Sequence, residues 1–272
     1  MSVVAHLELP DIQSGTETRG VALGSVGVTG LRYPITVELP DRTRQQTICE
    51  AELTAPLDAT SRGTHMSRFV EALHKHRAGM SPGGVLSLAQ DVSARLDGRG
   101  ARVALHFPLF IDRPAPVTEE PALLTIDCML AASIPDAGRP TVQVGLRAPI
   151  TALCPCSKEI ADYSAHSQRG YVTITAVDGA WADGGSGLWP HELLVICDAA
   201  GSAPVYPLLK RHDERHVTML AYDRPAFVED LARDVSVALQ SDRRVLAFTV
   251  EAVNHESIHD HQAVARVSWR RA

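Results

Sequence analysis

Chemistry in this chain would centre on two short stretches. The first, Leu153-Cys154-Pro155-Cys156-Ser157-Lys158-Glu159-Ile160, sets two cysteines around a proline with a lysine close behind, and His166 follows Cys154 by twelve residues. A thiolate and an imidazole brought together from such a loop suit zinc or another transition metal. The spacing is not a standard zinc pattern, so core cysteines beside a surface histidine stand as the alternative. The second stretch, His255-Glu256-Ser257-Ile258-His259-Asp260-His261, holds three histidines and two carboxylates in seven residues. On a strand or turn, His259 and His261 face one side together. A solvated polar loop is the plain alternative. Read with Cys154 and His166, the stretch makes a three- or four-ligand site with one position open for water. Glu256 is then a candidate proton shuttle.

Two further stretches suit an anion. Lys210 and Arg211, inside Leu208-Leu209-Lys210-Arg211-His212-Asp213-Glu214-Arg215, fit triphosphate oxygens, the arginine through its bidentate fork. Composition alone favours a charged solvent-facing loop. Gly63-Thr64-His65-Met66-Ser67-Arg68 reads as a helix start capped by Thr64, where anions are favoured, with His65 and Arg68 as candidates. A cap with an amphipathic helix behind it explains the same residues.

The elements that must position these groups alternate between strand and helix patterns. Strands are expected over 24–39, 47–57, 101–111, 122–134, 141–150, 170–177, 193–197, 245–252 and 262–269. Helices are expected after Thr64, from Pro82 to Leu96, and from Pro225 to about Leu239. The Gly-rich run 178–189 reads as an exposed loop. The pattern is α+β, with mainly antiparallel strands whose order in the first half is loosely repeated in the second. Residues 1–15 read as an arm.

Bulk composition is that of a globular protein: 272 residues, 45% hydrophobic, 21% charged, with a net charge of -6 and a pI near 6.0. That balance argues against a nucleic-acid binder. No apolar run reaches the roughly 20 residues of a membrane helix, and residues 1–9 lack a secretory pattern. Five scattered cysteines fit a reducing cytoplasm, with Cys49, Cys128 and Cys197 expected in the core.

Taken together, these motifs resemble the type IB GTP cyclohydrolase I family. The matching pieces span nearly the whole chain: Asp11-Ile12-Gln13 with Arg19-Gly20, Val26-Gly27-Val28, Leu31-Arg32-Tyr33-Pro34-Ile35, Gly63-Thr64-His65-Met66-Ser67-Arg68-Phe69, the Cys154 and Lys210 stretches, Phe227-Val228-Glu229-Asp230, and Glu256-Ser257-Ile258-His259. The resemblance implies a tunnelling fold (T-fold). It would have two tandem modules of antiparallel sheet with helices on one face, over 16–140 and 141–272, assembled into a homo-oligomer such as a tetramer. It implies metal-dependent opening of the guanine ring of GTP at C8, releasing formate and giving dihydroneopterin triphosphate for tetrahydrofolate synthesis. It also implies Cys154, His166 and His259 as ligands of a divalent metal, with Glu256 as an acid-base group and Cys156 a less defined participant. Zinc suits a thiolate best on softness, and the family leaves manganese and iron open.

One position departs from the family pattern. Met219, in His216-Val217-Thr218-Met219, stands where relatives carry the glutamate that holds the amidine edge of guanine. Losing a charge-assisted pair costs about 1.5–3 kcal/mol. Ala203-Pro204-Val205-Tyr206 likewise lacks the acid that precedes the tyrosine in some relatives. Three readings follow: a GTP cyclohydrolase in which a group such as Glu214 replaces the anchor, a diverged paralogue acting on another heterocycle, and a non-catalytic binding protein.

Overall fold

The structure is a computed structural model and describes residues 10–272, so most of the expected N-terminal arm lies outside the described residues. In chain order the elements are β1 (Leu23–Glu38), β2 (Arg44–Leu57), α1 (Met66–His76), α2 (Pro82–Arg95), β3 (Ala101–Asp112), β4 (Leu123–Ile134), β5 (Thr141–Leu153) and α3 (Pro155–Ile160). They continue with β6 (Ser167–Asp178), α4 (Pro190–Ala200), β7 (Ala203–Pro204), α5 (Arg211–Asp223), α6 (Val228–Ser241), β8 (Val245–His255) and β9 (Gln262–Arg270). Eight strands form one sheet in the order β1-β2-β3-β4-β5-β6-β8-β9, every neighbour antiparallel, and the two-residue β7 lies beside the end of β5.

Period-two patterning makes this sheet one-sided. In β4, Leu124, Ile126, Cys128 and Leu130 are buried while Thr125 and Asp127 are exposed, and β2, β3 and β6 alternate in the same way. The buried face carries the helices. Leu88, Ala89 and Val92 of α2, Leu193 and Leu194 of α4, and Leu231, Val235 and Leu239 of α6 join the strand residues in one core. Each half runs strand-strand, helices, strand-strand. The halves meet where β4 pairs with β5, from Asp127↔Arg147 to Ser133↔Thr141.

Local chemistry sets the helix starts. Pro82 opens α2 and the Ser81 hydroxyl accepts the Gly84 N–H at 3.0 Å. His65, not Thr64, is the cap residue of α1, and the Thr64 carbonyl instead accepts from Gln13 Nε2 at 3.0 Å. That bond ties residues 11–15 back onto the first half.

Two further expectations need correction. Residues 193–197, expected as a strand, lie inside α4. Leu193, Leu194, Cys197 and Ala200 are its buried residues, a helical spacing, and Glu192 caps it by accepting the Trp189 N–H at 2.9 Å. A five-residue apolar run does not distinguish strand from helix by periodicity. The run 178–189 is also less exposed than its glycines suggest. The buried Asp178 carboxylate accepts N–H groups of Ala180, Trp181 and Leu188 at 2.7, 3.0 and 2.6 Å, and Leu188 is itself buried. Among the described residues no helix is long and apolar enough to cross a membrane.

Candidate active site

Cys154 and His166 meet because they extend a ladder. β5 and β6 pair as far as Leu153↔Ser167, and one step further the Cys154 N–H donates to the His166 carbonyl at 3.1 Å. The residues between form the short α3 and a turn. Pro155 starts α3, Cys154 caps it, and the Cys154 Sγ accepts the Ser157 N–H at 3.5 Å. The Ser157 hydroxyl donates to the Cys154 carbonyl at 3.1 Å and accepts the His166 N–H at 3.3 Å, closing the excursion on itself. Twelve residues of separation in sequence thus become adjacency in space.

The His166 ring is held from one side. Its Nδ1 lies 2.8 Å from Gln168 Oε1, 3.3 Å from the Ser257 hydroxyl and 4.0 Å from Glu256 Oε2. Gln168 is buried and follows His166 by two residues, so both project to one face of β6. An Nδ1–H donated to Gln168 leaves the Nε2 lone pair for a metal, which is how ligating histidines are usually oriented. The glutamate is reached because β8 ends at His255 beside the start of β6, with Asn254 paired to Gly170. Gly170 is required there: a Cβ would sit 2.5 Å from Asn254 Oδ1, a buried acceptor with no partner among the described residues.

The backbone bond thus sets Cys154 beside His166, and Glu256 stands next to the His166 ring. His259 does not join them. It lies on the exposed 257–261 turn, stacked on His261 with ring centroids 4.9 Å apart. Among the described residues no three His, Cys, Asp or Glu side chains stand close enough together to hold a metal ion. The donor chemistry nonetheless fits a divalent transition metal: one thiol, one imidazole with its far nitrogen anchored, and a carboxylate alongside. Cys156 is exposed on α3.

The basic candidates fall in two places. Lys210 caps α5 and Arg211 opens it; Arg211, Glu214, Arg215, Thr218 and Met219 line an open depression along the helix. The stretch that composition left open as a charged loop is therefore a helix, with Met219 48% exposed beside Glu214. Lys158 of α3 donates to the Tyr222 carbonyl at the far end of α5 at 2.6 Å and lies over its ring. His65 and Arg68 line a separate cleft of about 330 Å³ in the first half. There His65 Nε2 lies 3.3 Å from Asp11 Oδ2, and Arg68 donates to the Arg95 carbonyl at 3.0 Å. No described contact joins that cleft to Cys154.

A family model described as "Type I GTP cyclohydrolase folE2" matches residues 9–265. The chain belongs to this family. It is 38% identical over 263 residues to the GTP cyclohydrolase FolE2 of Citrifermentans bemidjiense, covering 97% of this chain and 96% of that one. Against GTP cyclohydrolase FolE2 1 of Dechloromonas aromatica the identity is 39% over 267 residues, with 98% of each covered. The Neisseria meningitidis serogroup B FolE2 is 38% identical over 261 residues, covering 96% of this chain and 85% of that protein. Among solved structures, uricase from Arthrobacter globiformis matches with a TM-score of 0.52 at 10% identity, covering 92% of this chain and 95% of that one. A uricase from Bacillus fastidious matches at 0.52 and 8% identity, with 91% and 94% covered. At those identities the likeness concerns the fold alone.

Proposed function

We propose that this folE2-family chain carries out the reaction its relatives are named for. The chain is a GTP cyclohydrolase: it hydrolyses the guanine imidazole ring of GTP and loses C8 as formate, after which the rearranged ribose carbons close on the freed amine with loss of water to give 7,8-dihydroneopterin triphosphate. Family membership across nearly the full length carries this reading. The backbone bond that sets Cys154 beside His166, and the nearness of Glu256 to the His166 ring, support it chemically.

A divalent metal, zinc by its affinity for thiolate with manganese and iron as alternatives, would polarise water for attack at C8. Cys154, His166 and His259 would hold it, His259 coming from the exposed turn. The remaining work falls to the chain's own groups. Gln168 fixes the His166 ring through Nδ1. Glu256 Oε2, near that nitrogen, accepts a proton from water and returns it to the leaving purine nitrogen. Lys210 and Arg211 take the triphosphate, and the outward face of α5 meets the purine.

We read the halves, 16–140 and 141–272, as two tandem T-fold modules. Their repeated element order and the uricase likeness support this. The working form is taken to be a homo-oligomer, tetrameric as the family resemblance implies, in the cytoplasm, where the five free cysteines suit a reducing medium.

The test is turnover. Protein loaded with zinc or manganese and given GTP is expected to release formate and a product that becomes fluorescent on oxidation. A folded, metallated sample inert with every metal rejects the reading. Met219 motivates a second one, a related heterocycle as substrate. A gain of GTP turnover in Met219→Glu would mark a chain that has moved away from GTP.

A further inference from the structure

Helix α5 poses a packing problem. Of its thirteen residues only Asp213 and Ala221 are buried, with Val217 and Leu220 half-buried beside them, a thinner apolar stripe than those that seat α2 and α6. So thin a stripe leaves its position to be fixed by more than hydrophobic burial.

That fixture is Asp213. Its carboxylate is fully buried and takes four hydrogen bonds, which fills the lone-pair sites of an ionised carboxylate. Oδ1 accepts the N–H groups of Val117 and Thr118 at 2.8 and 2.9 Å. Oδ2 accepts the Thr118 hydroxyl at 2.7 Å and the Lys210 N–H at 2.9 Å. Three of the four donors belong to the β3–β4 hairpin, nearly a hundred residues away in the other half. The caps of α4 and α6 are local by contrast, each a carboxylate accepting an N–H three residues back.

The hairpin is firm enough to act as a mount. Its tip is cross-linked by Arg113 N–H to the Ala122 carbonyl at 2.8 Å, Ala115 N–H to Glu120 at 3.0 Å, and Glu119 N–H to Ala115 at 3.1 Å. Its base is pinned by Arg113, which bonds Asp198 of α4 at 2.7 Å and lies over the Tyr206 ring.

We propose that Asp213 and Thr118 are positioning residues for substrate binding, through which the first half's hairpin tip sets where Lys210, Arg211 and the outward face of α5 stand. This rests on the reading that α5 binds the substrate. Asp213 touches no reacting atom; it acts through the helix it holds.

The experiment compares the full-length wild-type protein with Asp213→Asn, Thr118→Val and Thr118→Ser. Replacing a saturated acceptor by a carboxamide sets an NH2 against donors, so Asp213→Asn is expected to raise the KM for GTP at least tenfold with kcat within about threefold. Thr118→Val is expected to raise KM several-fold, and Thr118→Ser, which keeps the hydroxyl, to restore it. Calorimetric binding of inorganic tripolyphosphate gives a readout without turnover, and the affinities are expected to fall in the same order. Equal KM and equal tripolyphosphate affinity in wild type and variants, even with lowered melting temperatures, overturn the inference and leave the proposed function intact. A wild-type protein that neither turns over GTP nor binds tripolyphosphate removes both. Should Asp213→Asn fail to fold, Thr118→Val carries the test, because it keeps both backbone bonds from the hairpin.

Discussion

Cys154 and Cys156 differ from the other three cysteines in ways that can be measured. Cys49, Cys128 and Cys197 are buried, and burial pushes the Cys49 thiol up to about 11 and, with Asp127 adding to it, the Cys128 thiol up to about 12. A thiol reagent at neutral pH is therefore expected to modify Cys154 and Cys156 in the native protein and the other three only after unfolding, as peptide mass spectrometry would reveal. The sign of the pH effect follows. A thiol whose folded value lies above the unfolded one near 8.5 favours the native state below that pH, and the advantage is lost as pH rises toward 12. Chemical denaturation should accordingly show stability declining above about pH 9, and less steeply in Cys128→Ala. If Cys154 and His166 hold a metal as proposed, Cys154→Ala is expected to strip it, and undiminished metal content would disqualify that ligand. Gln168→Ala is expected to weaken metal binding by about 10–100-fold through the freed His166 ring. Cys154, His166 and Glu256 were all legible as candidates because their types are rare together. Gln168 and Ser157 were not, since an amide and a hydroxyl gain meaning only once the β5–β6 ladder brings them beside His166.

Among the elements, α4 shows where pattern reading stops. Strand alternation would place Leu193, Val195 and Cys197 on one face, yet Val195 is 65% exposed while Leu194 is buried. Leu194→Ala should cost about 2–5 kcal/mol by urea denaturation, and Val195→Lys less than about 0.5 kcal/mol. The reverse ranking would restore the strand. Helix α5 hid for another reason: its apolar period is only Val217, Leu220 and Ala221, behind a charged first two turns. Its tie also has a pH signature. Burial raises the Asp213 pKa, but the bonds from Thr118, Lys210 and Val117 outweigh it and hold the carboxyl well below the usual range. A depressed carboxylate stabilises fully above about pH 4, and that stabilisation is lost as pH falls further. The stability gap between wild type and Asp213→Asn should thus be widest near neutrality and shrink in acid.

For the molecule as a whole, most of the sheet could be read from period-two runs, and eight of the nine expected strands are present within a few residues. What could not be read is adjacency. The sheet order, the junction of β4 with β5, and the reach of the β3–β4 hairpin to α5 depend on pairings far apart in the chain. His259, proposed as a ligand, stands on an exposed turn stacked on His261, and no reading of residue type alone would give that placement.

The mounting of α5 bears on how such a protein changes over generations. A helix seated by a packed face constrains most of its side chains, because each substitution is felt by the core. Helix α5 is held at its ends, by Asp213 and by the Lys158 bond to Tyr222, so its exposed positions between, unlike Val217, Leu220 and Ala221, are released from that constraint. Substitutions there alter what the helix presents at little cost to folding. Met219 stands in that stretch. If α5 meets the substrate as proposed, the fold keeps an evolvable recognition surface apart from the residues that maintain its stability, and drift in substrate preference need not begin with damage to the scaffold.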